Sequence, residues 1–195
     1  MKNLSFIFLI LISQFIYSQS LDDQIGDIEE KIISWRHDFH KFPEVSNREF
    51  KTSEKIAKHL ESLGIKVTRN VGVNGVVGIL EGKSKGKVVA LRADMDALPI
   101  TENNGLEFES VNDGVMHACG HDGHMSILMG TAEVLSKNND FNGTVKFIFQ
   151  GAEEGPPPGE EGGARMMIKE GVLENPRVDA IFGLHIAAQL PMNKV

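Results

Sequence analysis

The sequence predicts an α/β fold in which helices are layered against a sheet, and three observations carry that prediction. Apolar runs of strand length alternate along the chain with stripes of helical period. The short runs are rich in β-branched residues and are bounded by glycine, asparagine and proline. One run, Val88-Val89-Ala90-Leu91, is apolar on both faces, which suits a central strand covered from both sides.

Residues 1–20 are set apart from the fold. Lys2 supplies a small positive start, Leu4 to Tyr17 is mostly apolar, and Ser18 and Ser20 are small residues suited to cleavage, the pattern of a secretory signal peptide. The apolar stretch is shorter than the roughly 20 residues a spanning helix needs. The expectation is a secreted or periplasmic protein with no stable membrane association after cleavage.

From Ile25 onward, Ile28, Ile32, Trp35 and Phe39 recur at helical spacing, and Phe42-Pro43 ends that helix. Ser46 followed by Glu49 has the form of a capping box, opening a second helix with the stripe Ile56, Ala57, Leu60 and Leu63 that Gly64 closes. Strands come next at Ile65 to Arg69, Val76 to Leu80 and Val88 to Arg92, separated by Asn74-Gly75 and by a polar loop from Glu81 to Lys87. Met125, Leu128, Met129, Ala132 and Leu135 trace a third helix, Thr144 to Phe149 a strand, Gly162 to Glu170 a helix and Val178 to Leu184 a strand.

The length after the leader suits one domain or at most two, and 41% hydrophobic residues without a low-complexity tract suits a globular core. A net charge of -7 argues against nucleic acid or an anionic membrane as partner, because both need a basic face.

The chemistry is concentrated in Met116-His117-Ala118-Cys119-Gly120-His121-Asp122-Gly123-His124, which holds the single cysteine, three of the seven histidines and a carboxylate. A lone cysteine in an exported chain has no internal disulfide partner. A buried inert thiol is one reading; with Gly120 and His121 beside it, metal ligation is the stronger. Thiolate and imidazole suit zinc, manganese, cobalt or nickel better than calcium or magnesium. For His117 and His124 a supporting or helix-capping role is at least as good a reading.

Further donors stand where predicted strands stop: Asp94 and Asp96 after one, Glu153 and Glu154 after another, His185 after a third. Ligand sites in open α/β sheets gather beyond such carboxyl ends. In an adjacent pair of glutamates, one carboxylate can bind metal while its neighbour moves the proton of a water. Arg92, Asp94 and Asp96 share a face while the chain is extended, so an ion pair with Arg92 and a role in orienting a histidine are both open. His37, His40 and His59 read as surface or packing histidines, Glu160 and Glu161 as solvated, and the sequon at Asn142 as chance.

Leu91 to Pro99, His117 to His124, Gln150 to Glu154 and Phe182-Gly183-Leu184-His185, in that order, resemble the motifs of the N-acyl-amino-acid amidohydrolases within the zinc-peptidase and aminoacylase clan, and Trp35-Arg36-His37 to Glu44 extends the likeness. Gly151 departs from the proline usual there. The resemblance implies a zinc-peptidase-like catalytic domain with two divalent metal ions, ligands Cys119, His121, Glu154 and His185, Glu153 as general base and a helper role for Asp96. It implies hydrolysis of N-acyl amino acids by a metal-bridged water; a dipeptidase or carboxypeptidase using the same centre, and an inactive metal-binding module, are the alternatives. Residues 21–195 are similar to the amino-terminal part of that domain, without the inserted lid, through which such enzymes often form homodimers, and without the carboxyl-terminal part.

Overall fold

The computed structural model describes residues 19–191. The expected signal peptide, apart from Gln19 and Ser20, lies outside the described residues. No helix among the described residues is long and apolar enough to cross a membrane.

Ser20 caps α1 (Leu21–Gly26) through a reciprocal pair of bonds with Asp23. The single helix expected from Ile25 is instead interrupted: α1 ends at Gly26, a poor helix residue, and α2 (Glu29–Lys41) starts anew. α3 (Phe50–Ser62) begins three residues later than a Ser46/Glu49 capping box would start it, and that box does not form. The Glu44 carboxylate accepts from the amides of Lys51 and Thr52 instead, at 3.3 and 2.9 Å, satisfying donors of the first turn. Ser46 and Glu49 are buried and turned toward the ends of other strands.

β1 (Lys66–Val71) and β2 (Gly75–Glu81) form an antiparallel hairpin. β3 (Ser84–Asp94) starts three residues before the end of the predicted polar loop, because Ser84 already pairs with Asn142 ahead of a register shift. α4 (His121–Lys137), β4 (Asn142–Gln150), α5 (Gly163–Lys169) and β5 (Ala180–Gly183) complete the order. The sheet runs β1-β2-β4-β3-β5 and is mixed: β2 meets β4 antiparallel, whereas β3 lies parallel to both β4 and β5.

One face carries the main core. Phe39 of α2, Ile56, Ala57 and Leu60 of α3, and Met125, Met129 and Ala132 of α4 pack on Val76, Leu80, Ala93, Phe147 and Phe149. The other face is thinner, with Met167 of α5 and Val172 over Val77, Ala90 and Ile148. Lys146 is buried on that face and donates to the carbonyls of Val172 and Pro176 at 2.7 and 2.9 Å, so its charge meets acceptors where no sequence pattern announced them.

Gly143 lies at the start of β4 with φ +110°, and a Cβ there would collide with the Lys87 carbonyl oxygen. Gly143→Ala therefore combines backbone strain with overlap at the β3–β4 junction. It is expected to destabilise by about 2 kcal/mol or more, read as a lower urea midpoint at unchanged m-value.

Candidate metal centre

The carboxyl ends of β3, β4 and β5 point the same way because these strands are parallel, and α4 starts at that same edge. The turn into α4 is made by Gly120 in the left-handed region, φ +84°, so His121 is the first helical residue, four positions before Met125, where the expected helical stripe opens.

The structure brings the four sequence-predicted ligands together. Donor atoms of Cys119, His121 and Glu154 all lie within 4.8 Å of one another, and Cys119 Sγ stands 3.6 Å from His185 Nε2. His121 Nε2 is 3.8 Å from carboxylate oxygens of both Glu153 and Glu154. These side chains come from the α4 turn, the loop after β4 and the end of β5.

The hydrogen bonds set which imidazole atoms are free. His121 Nδ1 donates to the Asp96 carbonyl at 2.8 Å, leaving Nε2 buried without a hydrogen-bond partner, 3.6 Å from Asp94 Oδ1 and 3.8 Å from each glutamate. His185 Nδ1 donates to the Ile186 carbonyl at 2.7 Å, leaving Nε2 facing Cys119. An imidazole tied at one nitrogen and bare at the other is arranged as metal-ligating histidines are. The donor set fits a divalent ion of the zinc type.

A second group of possible donors, Asp94, His121 and His124, is also close. His124 is not free to ligate: Nδ1 meets Asp94 Oδ1 at 2.7 Å and Nε2 accepts the Ile186 amide at 2.9 Å. His117 takes neither role weighed for it from sequence, being buried with no protein partner at either nitrogen, and burial lowers its pKa to about 4 so that it is neutral.

The paired glutamates are held from below. Ala152, at φ +49°, donates its amide to Glu49 Oε1 at 2.7 Å, and Glu154 donates its amide to Asp96 Oδ2 at 2.9 Å. Asp96 Oδ2 also accepts from Ser46 Oγ at 2.7 Å, and Glu49 from Asn74 Nδ2 at 2.5 Å. A side chain at Gly151 would run into Asn74 Oδ1 and the Glu49 carboxylate, which gives this glycine a local reason. Glu160, expected to be solvated, is exposed and also accepts from Arg48 and Asn47.

Charge is set by these contacts. Burial pushes the Cys119 thiol up to about 11, aided by its bond to Glu154 and the charges of Glu154, Asp94 and Glu153. Burial disfavours charge on His121, yet its bond to Asp96 and the charges of Asp94 and Asp96 outweigh this and raise its pKa. Burial alone would raise Asp96, but His121, the Glu154 amide and Ser46 hold it below the ordinary range.

His40, read from sequence as a surface or packing residue, is buried between Asp122 and Glu102, 2.9 Å from each. Its bond to Asp122 raises its pKa, burial opposes, and Glu102 adds to the rise. Burial works against the charged forms of Asp122 and Glu102, but His40 brings both below their usual 3.8 and 4.5. The imidazolium's contribution is complete below the unfolded value of 6.5 and fades as pH rises through the higher folded value. The carboxylates' contribution is present above their unfolded values and fades as pH falls through the lower folded ones. The stability gap between wild type and His40→Gln should thus be widest between about pH 4.5 and 6.5 and narrow toward pH 9, as urea midpoints at pH 5.5 and 9 will show.

Residues 90–194 match the family model described as peptidase family M20/M25/M40. The chain belongs to that family. It is 47% identical over 175 residues to thermostable carboxypeptidase 1 of Saccharolobus solfataricus, covering 89% of this chain and 43% of that protein. It is 42% identical to an N-acyl-L-amino acid amidohydrolase of Geobacillus stearothermophilus, over 88% of this chain and 45% of the relative. Among solved structures, a Bacillus subtilis protein described as a dinuclear metal binding peptidase from the M20 family superposes with TM-score 0.77 at 42% identity, over 85% of this chain and 45% of that one. This M20/M25/M40 chain thus spans less than half the length of these relatives.

Proposed function

We propose that this chain carries the metal-binding half of an exported amidohydrolase that cleaves the amide bond of N-acyl amino acids. One observation supports this above others: a thiol, two imidazole nitrogens and a carboxylate from three separate segments converge at the carboxyl edge of parallel strands. Cys119, His121, Glu154 and His185 are the proposed ligands, and two divalent ions of the zinc, manganese, cobalt or nickel group the proposed cofactors. A bound ion at such a site lowers the pKa of water and polarises a carbonyl.

Glu153 is the proposed general base. Its carboxylate borders the donor set of Cys119, His121 and Glu154, with Oε2 3.8 Å from His121 Nε2 and Oε1 4.0 Å from Arg92 Nη2. From there it takes the proton of the attacking water and hands it to the leaving amine. Asp96 acts by positioning: its carbonyl sets the His121 ring and its carboxylate holds the Glu154 amide. Export rests on the sequence of residues 1–20.

The carboxypeptidase relative favours a second reading, cleavage of peptides with a free amino group by the same centre. Turnover of hippurate and of an unblocked dipeptide, compared side by side with the metal-loaded protein, separates the two. Faster release from hippurate is expected; turnover of the dipeptide alone overturns the amidohydrolase assignment.

A further inference from the structure

We infer that His124 is a positioning residue that sets the geometry of His185 by gripping the backbone of the next residue, an inference that rests on the metal-centre reading above. The ladder between β3 and β5 ends at the pair Arg92 and Gly183, so no strand pairing fixes the chain at 184–186. β5 is an edge strand and its side chains are exposed, Phe182 at 61%. Besides the approach of His185 to Cys119 and the edge-on contact of its ring with His124 at 5.0 Å between centroids, two contacts hold the segment beyond β5 through Ile186. The Ile186 amide donates to His124 Nε2 at 2.9 Å, and the Ile186 side chain lies over the first turn of α4, where a Cβ on Gly123 would come within 2.7 Å of its Cδ1 and one on Gly120 within 3.4 Å.

The grip is braced behind the ring. Because Nε2 accepts from Ile186, Nδ1 carries the proton and donates to Asp94 Oδ1 at 2.7 Å. Asp94 is in turn held by Arg92 Nη1 at 2.7 Å, and Arg92 Nε donates to Gln150 Oε1 at 3.0 Å. The chain of contacts therefore runs from the ends of β3 and β4, through His124, to Ile186, the residue whose carbonyl accepts from the His185 ring. Asp94 and His124 brace the centre from behind, and Gly120 and Gly123 leave room for Ile186.

Two variants separate the bonds. In His124→Asn the shorter amide can still donate to Asp94 but does not reach Ile186; in His124→Gln the longer amide can accept from Ile186. In metal-free protein, hydrogen exchange at the Ile186 amide should be fast in His124→Asn and return toward the wild-type rate in His124→Gln. Cobalt(II) titration should show His124→Asn weakened by about 10–100-fold, with the thiolate-to-cobalt band of Cys119 retained, and His124→Gln largely rescued. Adding His124→Asn to His185→Ala should then cost little beyond His185→Ala alone.

Unchanged Ile186 exchange in His124→Asn, unchanged cobalt affinity, or fully additive losses in the double variant each overturn the inference. If His185→Ala binds cobalt like wild type, the metal-centre reading fails and this inference with it. If His185→Ala weakens binding and His124→Asn does not, this inference alone fails.

Discussion

Glu153→Gln is expected to lower kcat for an N-acyl amino acid by about 10²–10⁴-fold, the usual contribution of a positioned general base, while bound metal, counted by elemental analysis after dialysis, stays at the wild-type level. The two glutamates are neighbours in sequence but not equivalent in space. Glu154 is tethered through its amide to Asp96 and joins Cys119 and His121 in the donor cluster; Glu153 is more exposed and faces Arg92. An amide at 153 keeps the size of the side chain and removes only its ability to take a proton. Glu154→Gln is the control: it should lose metal and activity together. Near-normal turnover in Glu153→Gln, or a loss of metal there instead of in Glu154→Gln, would show that the two roles are the reverse of those assigned.

The site was legible because its donors sit in two kinds of place. The glutamate pair and His185 stand where apolar runs end, and Cys119 and His121 in a dense cluster just before a helix; the resemblance, not the strand ends, chose Glu154 over Glu153, and the parallel pairing of β3 with β4 and β5 carries the segments to one edge. What the sequence hid were the supports, which act over long separations. Ser46 and Glu49 have the residue types and spacing of a capping box, yet one serves Asp96 and the other Ala152, 103 residues away. The helix they were expected to cap uses Glu44. His40 looked like one more polar residue on an amphipathic helix; only the fold brings Asp122 and Glu102 to its two nitrogens. The start of β3 was missed for a related reason: Ser84 to Lys87 are exposed and hold no apolar side chain, so the pairing of Ser84 with Asn142 leaves no mark in hydropathy.

Cys119→Ala is expected to weaken metal binding by at least about a hundredfold, the upper end of what removal of a mere outer support costs, while changing stability of the metal-free protein little. The alternative weighed from sequence was a buried inert thiol, and the two make opposite forecasts. A packing cysteine would lose stability on truncation in proportion to the apolar contact it made and leave metal content alone. In the structure Cys119 is only partly buried and its sulfur faces His185 and Glu154, outside both hydrophobic clusters. With a pKa near 11 the thiol holds its proton throughout the neutral range, so ligation through sulfur must displace it. Metal uptake by the wild type should therefore release a proton that Cys119→Ala does not release, measurable as the difference in apparent binding heat between buffers of unlike ionisation enthalpy. Apparent affinity should also rise with pH, more steeply in the wild type than in the variant. Equal proton release from the two proteins, with equal metal content, would place the sulfur outside the coordination sphere and leave His121, Glu154 and His185 to hold the ion without it.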